Sequence, residues 1–156
     1  MTTVVVIDEE TDGSGDGRGR VTAAVLDAVA SAEIYFGYGI AAELIEAGRA
    51  LRWVHSGAAG VGKSLTPVML SSEVIFTNSA GIHAEPIAEY VISQMVCLSR
   101  DFPRMMRDHK EHLWNKDYFL ENRRPELRDK TLGIIGYGSI GREIARLAKC
   151  FGMSVI

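Results

Sequence analysis

The segment of residues 131–156 constrains the fold more than any other part of the chain. Its first apolar run, Leu132-Gly-Ile-Ile135, is typical of a strand buried on both faces of a parallel sheet. Three glycines follow with the spacing G-x-G-x-x-G: Gly136, Gly138 and Gly141. Residues 142–151 then carry apolar side chains at helical spacing, and a second apolar run closes the segment. The pattern predicts a strand, a tight turn, a helix and a second parallel strand.

Each glycine has a separate task when such a turn binds a dinucleotide. The first allows the tight turn, the second lets the backbone approach a pyrophosphate, and the third lets the helix pack closely on the strand. The first N–H groups of the helix then face the phosphates. We therefore predict that a nicotinamide dinucleotide binds at Gly136, Tyr137, Gly138, Ser139, Ile140 and Gly141. The residue that separates NAD from NADP is expected about 20 residues into the motif, beyond Ile156, so the predicted cofactor is NAD or NADP.

The residues before this segment alternate between strand and helix patterns. Strands are predicted at Val4–Ile7, 33–36, 51–55 and 74–77, and helices at 21–30, at 41–47 and from Glu85 onward. Asp101 and Pro103 indicate that the last of these helices stops near Arg100 and that a new one follows. Residues 115–130 are polar and are predicted to be a linker. Because parallel strands need crossovers, the alternation predicts an α/β fold with functional loops at the carboxyl ends of the strands.

The composition excludes several classes of protein. With 47% hydrophobic and 24% charged residues, the chain is typical of a soluble globular protein. It has no apolar run long enough to cross a bilayer and no signal-peptide pattern, so a cytoplasmic location is predicted. A net charge of −3 without a basic block predicts a small-molecule ligand and neither a nucleic-acid nor a membrane partner. Cys97 and Cys150 are predicted to be buried free thiols, and no metal site is predicted.

A second phosphate-binding motif competes with the first. Gly57-Ala-Ala-Gly-Val-Gly-Lys63-Ser64 matches the pattern G-x-x-x-x-G-K-[ST] and follows a predicted strand. In a P-loop, Lys63 would reach the β- and γ-phosphates and Ser64 would hold Mg²⁺. Pro67 leaves room for only a short helix afterwards, and no later strand ends in aspartate. A P-loop NTPase therefore stays open as a less favoured alternative.

Three stretches occur in an order and spacing that point to a known family. They are Leu51-Arg-Trp-Val-His-Ser-Gly-Ala-Ala-Gly-Val, Thr77-Asn-Ser-Ala-Gly-Ile-His-Ala-Glu-Pro-Ile-Ala-Glu-Tyr-Val and Leu127-Arg-Asp-Lys-Thr-Leu-Gly-Ile-Ile-Gly-Tyr-Gly-Ser-Ile-Gly. Over about residues 50 to 156, the chain resembles the D-isomer-specific 2-hydroxyacid dehydrogenases. The resemblance implies a flavodoxin-like catalytic lobe with a parallel sheet at residues 1–100. A linker helix and the first βαβ of a Rossmann NAD(P)-binding domain would follow at residues 101–156.

The resemblance also implies substrate-binding and cofactor-binding positions. The backbone N–H groups of Gly57, Ala58 and Ala59 would receive the substrate carboxylate, Asn78 would orient the substrate, and Val91 would contact the nicotinamide. Ordinary turn, cap and core roles stay open for the same positions. The family usually has aspartate after the Gly-Val of the substrate loop, where this chain has Gly62-Lys63. The shape of that loop is therefore expected to differ.

The family's catalytic histidine, its assisting carboxylate and its substrate-binding arginine lie in later Rossmann strands and loops. We therefore expect no catalytic residue within residues 1–156, His83 included, and we expect the chain to be the N-terminal part of a longer enzyme. The complete protein is expected to be a homodimer. It would transfer a hydride between NAD(P) and C2 of a D-2-hydroxy or 2-oxo acid. An NAD(H)-sensing binding protein without catalysis is the alternative.

Overall fold

The computed structural model describes residues 3–7 and 21–156. The chain divides into two compact units, at residues 1–82 and 83–156. Each unit contains a parallel sheet and helices. The α/β class and the parallel strands predicted from the sequence are therefore confirmed.

The first unit is built around a three-stranded parallel sheet. Its elements, in order, are α1 (Ala23–Val29), β1 (Ile34–Gly37), α2 (Ala42–Ala47), β2 (Trp53–Ser56), α3 (Pro67–Ser71) and β3 (Ile75–Asn78). Strand β2 lies in the centre and pairs with both neighbours. In this register Ser56 lies opposite Gly37 on one side and Asn78 on the other. All three strands consequently end at the same edge of the sheet.

The three helices of this unit pack on one face of the sheet. The core contains Ile40, Leu44 and Val54, whose side chains are fully buried, together with five further buried residues: Val29, Ala41, Ile45, Leu51 and Met69. Alternate strand residues point to the opposite face, where Phe36 and Ile75 are exposed. Helix α3 begins where the Thr66 hydroxyl accepts a hydrogen bond from the Met69 N–H, an N-cap that fixes its first turn.

The second unit consists of four helices and a two-stranded sheet. Its elements are α4 (Ala84–Ser99), α5 (Phe102–Lys110), α6 (Lys116–Glu121), β4 (Thr131–Leu132), α7 (Ser139–Cys150) and β5 (Ser154–Val155). Strands β4 and β5 are parallel, and α7 is the crossover between them. The ladder continues past the strands, because the Ile134 N–H donates to the Ile156 carbonyl at 2.9 Å. Helix α4 packs along α7 around Ile92, Ala148 and Met153. The predicted βαβ beginning is confirmed.

The predicted strand at Val4–Ile7 was wrong. Residues 3–7 form neither strand nor helix, and Val4, Val5 and Val6 are exposed. A run of β-branched residues favours extended backbone, but a strand also needs a neighbouring strand in register. Within the described residues, the sheet of the first unit begins instead at Ile34.

The predicted linker at residues 115–130 contains the short helix α6. Two guanidinium groups lie over the ring of Tyr118 in this helix, with Arg104 at 4.7 Å and Arg124 at 5.1 Å from the ring centroid. Asp101 accepts hydrogen bonds from both Tyr118 and Arg124. These long-range polar contacts stabilise a helix that has little apolar periodicity of its own.

The break predicted near Arg100 is present. Asp101 separates α4 from α5 and has a φ of 54°, a left-handed conformation that cannot continue a helix. The compact units nevertheless divide before α4, because α4 packs against α7 of the second unit. The expected division at residue 100 follows the end of α4, whereas the observed division between Ile82 and His83 precedes its start. The whole of α4 therefore lies between the two positions.

Among the described residues, the helices are too short or too polar to qualify as membrane spans. Both cysteines are free, as predicted. Cys97 is only half-buried, and Cys150 is exposed, so the prediction that both are buried was wrong. Cys150 is the last residue of α7 and lies outside its buried set, so an apolar helix pattern does not ensure burial there.

Candidate functional site

The predicted substrate loop follows directly from the central strand of the first unit. Gly57, Ala58 and Ala59 come after β2, and Asn78 is the last residue of the neighbouring β3. The parallel register places Asn78 opposite Ser56, so the loop and the asparagine meet at the carboxyl edge of the sheet. Ligands of open parallel sheets bind outside this edge. The structure therefore brings the four predicted substrate residues together.

Two of the three predicted N–H donors already have partners in the chain. The Gly57 N–H donates to the Gly37 carbonyl at 2.7 Å, and the Ala58 N–H donates to the buried Ser56 hydroxyl at 3.2 Å. Within residues 21–82, no chain partner is found for the Ala59 N–H. The geometry thus narrows the prediction from three backbone donors to Ala59.

Asn78 is anchored to the same loop. Its side-chain Nδ2 donates to the Ala59 carbonyl at 2.8 Å. The Ser79 N–H donates to the carbonyls of Ser56 and Ala58 at 3.1 and 3.3 Å. These bonds fix the turn of the loop against the end of β3. The amide oxygen Oδ1 of Asn78 and the second N–H of its Nδ2 remain for a ligand.

The P-loop alternative does not agree with the geometry. Ser64, which would have to hold Mg²⁺, is 2% exposed, and its hydroxyl accepts a hydrogen bond from the Ile40 N–H at 3.2 Å. Helix α3 has only five residues and begins at Pro67, after the motif has ended. In a P-loop the helix starts within the motif and presents its N–H groups to phosphate. The match to G-x-x-x-x-G-K-[ST] is therefore a coincidence of letters.

The glycine turn of the second unit has the geometry that the sequence predicts. Gly136 has a φ of 95°, which L side chains rarely adopt. A β-carbon on Gly141 would lie 2.2 Å from the Gly136 carbonyl oxygen, far inside contact distance. The first glycine is thus required by its backbone conformation and the third by the close approach of α7 to the turn.

Gly138 differs from both of these glycines. Its φ is −81°, and a β-carbon built on it would have no atom of the chain within 4 Å. Gly138 is the N-cap of α7 and has no side-chain cap, and the N–H groups of the first helical turn begin at Ser139. Tyr137, Ser139 and Ile140 are exposed beside it. The turn therefore presents open backbone and the positive end of a helix dipole to solvent.

One carboxylate near this turn is paired with an arginine. The hydrogen bond from the Arg146 guanidinium lowers the pKa of Glu143, the first acidic residue of α7. Arg146 donates to the two carboxylate oxygens at 2.6 and 3.0 Å. Glu143 is therefore held as a paired carboxylate and is a poor candidate for a general base.

Val91, predicted to contact the nicotinamide, and His83, considered as a catalytic residue, both belong to the second unit. Val91 is half-buried on α4, next to the buried Ile92. His83 is exposed and precedes α4, where its side chain makes no cap hydrogen bond. Neither position shows a polar contact that would mark it as catalytic.

Two buried serines of the first unit have a loop-shaping role that the sequence did not predict: Ser56 was not singled out, and Ser64 was considered only as a P-loop residue. Ser56 and Ser64 are both at most 2% exposed, and each hydroxyl accepts a backbone N–H at one end of the substrate loop. Their signal in the sequence is weak, because serine is common in turns. Only the three-dimensional fold shows that Ser64 reaches Ile40, 24 positions earlier in the chain.

Comparisons with known proteins agree with this geometry. Residues 92–156 match the family described as D-isomer specific 2-hydroxyacid dehydrogenase, NAD binding domain. The hydroxypyruvate reductase of Thermotoga maritima is 34% identical over 119 residues, which are 75% of this chain and 37% of that protein.

Two solved structures have the same fold. A D-isomer specific 2-hydroxyacid dehydrogenase family protein from Aeromonas salmonicida has a TM-score of 0.65 at 28% identity, covering 85% of this chain and 41% of its own. The D-lactate dehydrogenase of Aquifex aeolicus, complexed with NAD and lactic acid, has a TM-score of 0.67 at 23% identity, covering 83% and 39%.

The chain thus spans about two fifths of the length of these relatives. The resemblance drawn from the three sequence stretches is confirmed. By sequence and by fold, the chain is similar to D-isomer-specific 2-hydroxyacid dehydrogenases, and its residues 92–156 match their NAD-binding domain.

Proposed function

We propose that this chain binds NAD or NADP at residues 136–141 and is part of a dehydrogenase. The enzyme would transfer a hydride between the cofactor and C2 of a D-2-hydroxy or 2-oxo acid. The relatives named above are dehydrogenases and a reductase, and they favour catalysis over NAD(H) sensing. In functional terms, residues 1–100 would serve the substrate and residues 101–156 the cofactor.

The observation that carries the proposal is the empty space at Gly138. The chain itself explains Gly136 and Gly141, since one has a positive φ and the other touches neighbouring backbone. Nothing in the chain explains Gly138, around which a β-carbon would meet no atom within 4 Å. At the second position of a G-x-G-x-x-G turn, a glycine that the fold does not need supports a ligand that must approach its backbone. The pyrophosphate of a dinucleotide makes that approach at the second glycine of such turns.

In the bound state the residues of the turn would divide the work. The N–H groups of Ser139, Ile140 and Gly141 would face the pyrophosphate at the start of α7, where the helix dipole favours negative charge. Tyr137 would border the site, and Val91 would lie toward the nicotinamide. The cofactor supplies the hydride chemistry, and the protein supplies binding and orientation.

At the sheet edge of the first unit, the Ala59 N–H would receive the substrate carboxylate. Small residues at Gly57 and Ala58 would let the acid approach, although their own N–H groups are used inside the unit. Asn78 would hold the loop through Ala59 and offer its Oδ1 to the substrate. We assign no catalytic acid or base among these residues.

We also propose that the protein is a cytoplasmic homodimer. The free thiols of Cys97 and Cys150, one of them exposed, fit a reducing compartment. Exposed apolar side chains on and after α5 supply a surface for a second copy: Phe102, Met105, Met106, Leu113 and Trp114. Trp114 is 91% exposed, which is unusual because tryptophan side chains are mostly buried on average.

A titration of NADH fluorescence with two glycine variants tests the cofactor site. In Gly138→Val the side chain would occupy the space that the pyrophosphate needs. We therefore expect NADH binding to weaken at least about a hundredfold, because an anion site is lost and a steric clash is introduced. The matched control is Gly62→Val, since a β-carbon built on Gly62 would also have no chain atom within 4 Å, but this residue lies in the other glycine motif. The control is expected to bind NADH as the unaltered chain does. Equal affinity of the chain and Gly138→Val would refute the proposal.

A further inference from the structure

His55 on β2 has a hydroxyl within hydrogen-bond distance of each ring nitrogen. Nδ1 lies 2.9 Å from Thr77 Oγ1, and Nε2 lies 3.3 Å from Ser79 Oγ. The ring of Phe36 stacks on the imidazole with 5.5 Å between centroids. His55 is therefore fixed in position, and its two nitrogens face different partners.

The partners of Thr77 determine which nitrogen of a neutral ring carries the proton. Trp53 Nε1, which can only donate, donates to Thr77 Oγ1 at 2.8 Å, and the Thr77 hydroxyl donates to the Val54 carbonyl at 3.5 Å. The single Thr77 proton serves either the Val54 carbonyl or His55 Nδ1; we assign it to Val54, which makes Nδ1 of His55 the donor in its contact with Thr77. For the neutral imidazole, the contacts of Thr77 with Trp53, Val54 and His55 and the contact of His55 with Ser79 coexist only when the proton is on Nδ1. Nε2 is then an acceptor, and the proton in its contact comes from the Ser79 hydroxyl.

This arrangement orients the hydroxyl of Ser79. With His55 protonated on Nδ1, the Ser79 proton points to His55 Nε2, so the oxygen lone pairs are what Ser79 offers to a ligand. Ser79 follows Asn78 directly, and its N–H is bonded to the Ser56 and Ala58 carbonyls at the base of the substrate loop. Ser79 is half-buried and stays accessible from solvent. An oriented acceptor thus lies at the edge where the acid is proposed to bind.

We propose that Ser79 is a further substrate-contacting residue, which accepts a hydrogen bond from a hydroxyl of the substrate and so favours hydroxy acids over acids without that donor. His55 and Thr77 are positioning residues that act through Ser79. This inference rests on the proposed function, because it takes the carboxyl edge of the first sheet as the substrate site.

The orientation can be measured without a ligand. Long-range ¹H–¹⁵N spectra of the histidine-labelled chain at about pH 8, where a free imidazole is neutral, distinguish a protonated from an unprotonated ring nitrogen. We expect His55 to be protonated on Nδ1. In Thr77→Val the acceptor is lost, and we expect the proton to move to Nε2. Ser71→Ala removes an exposed hydroxyl of the same unit and is expected to leave His55 unchanged. An Nε2 proton in the unaltered chain would overturn the proposal.

The recognition step is measured with two acids of equal charge and carbon number. D-Lactate and propanoate are titrated into the ¹⁵N-labelled chain, and the shift of the Ala59 amide is followed. We expect D-lactate to bind about fivefold more tightly than propanoate, as for one net hydrogen bond. That preference should disappear in Ser79→Ala and persist in Ser71→Ala. A preference that persists in Ser79→Ala would contradict the role of Ser79.

The two measurements separate this inference from the proposed function. If neither acid shifts the Ala59 amide in any variant, the substrate edge itself is wrong, and the recognition role of Ser79 fails with it. If both acids bind and the preference is the same with and without the Ser79 hydroxyl, the edge stands and only the further inference fails.

Discussion

At the scale of single residues, the glycine turn separates the needs of the fold from those of a ligand. Gly136 and Gly141 are fixed by backbone conformation and by packing, whereas Gly138 is free of both constraints. A comparison of glycines within one motif can therefore show which position a ligand requires. Asn78 and Ser56 likewise serve the fold, because polar atoms of their side chains form hydrogen bonds that shape the substrate loop.

Gly141→Ala is expected to destabilise the second unit, because the added β-carbon would lie 2.2 Å from the Gly136 carbonyl oxygen. Overpacking of this kind costs about 1–3 kcal/mol in the free energy of unfolding. Chemical denaturation followed by circular dichroism measures the change. Gly138→Ala, which adds the same methyl group in open space, is the control and should unfold at nearly the same denaturant concentration as the unaltered chain. Equal destabilisation by both variants would show that the contact at Gly141 is not as described.

The substrate loop shows where residue-level prediction succeeds and where it stops. Gly57, Ala58, Ala59 and Asn78 could be brought to one edge from the strand pattern, since parallel strands end together. The sequence could not show that the Gly57 and Ala58 N–H groups are already bonded inside the unit. The Gly57 bond depends on how β2 pairs with β1, and the Ala58 bond depends on the rotamer of Ser56, and neither leaves a signal in the sequence.

At the scale of elements, α4 and α7 form the framework that supports the glycine turn. The two helices share a core with Ile92 of α4 and Ala148 of α7 at its centre. The small side chain of Ala148 allows the helices to approach closely. The direction of α7, and with it the position of its N-terminal N–H groups, depends on this contact.

Removing side-chain volume from that contact is expected to loosen the second unit. Ile92 is 6% exposed, and Ile92→Ala should cost about 2–5 kcal/mol in the free energy of unfolding through lost burial and a cavity. Hydrogen exchange measures the change, and the loss of protection should be concentrated in α4 and α7. Gln94→Ala, at an exposed position of the same helix, should leave protection unchanged. Unaltered exchange in Ile92→Ala would contradict the packing of α4 on α7.

Elements with strong apolar periodicity were predicted well, and the two failures have physical causes. Strands β1 to β3, helices α1 and α2, the break at Asp101 and the βαβ of the second unit all agree with the sequence pattern. The run Val4–Ile7 has β propensity but forms no ladder, because pairing is a tertiary event. Helix α6 depends on Arg104 and Arg124 around Tyr118, and contacts so far apart in sequence leave no periodic signal.

At the scale of the whole molecule, a self-association surface is proposed at α5 and the residues after it. Trp114→Glu replaces its most exposed apolar side chain with a charge. If two copies associate there, sedimentation velocity should show a dimer for the unaltered chain and a shift toward monomer for the variant. Lys110→Glu changes charge at an exposed position of α5 without removing apolar area, and it should remain dimeric. A monomeric unaltered chain would remove the dimer proposal and leave the cofactor site untouched.

The central claim is that the cofactor binds at the glycine turn of the second unit. Its most direct test is a map of backbone amide shifts in the ¹⁵N-labelled chain on addition of NADH. The account predicts the largest changes at residues 136–141, where α7 begins, and small changes at the other glycine motif, residues 57–64. Changes centred on residues 57–64, or none at residues 136–141 at saturating NADH, would contradict it.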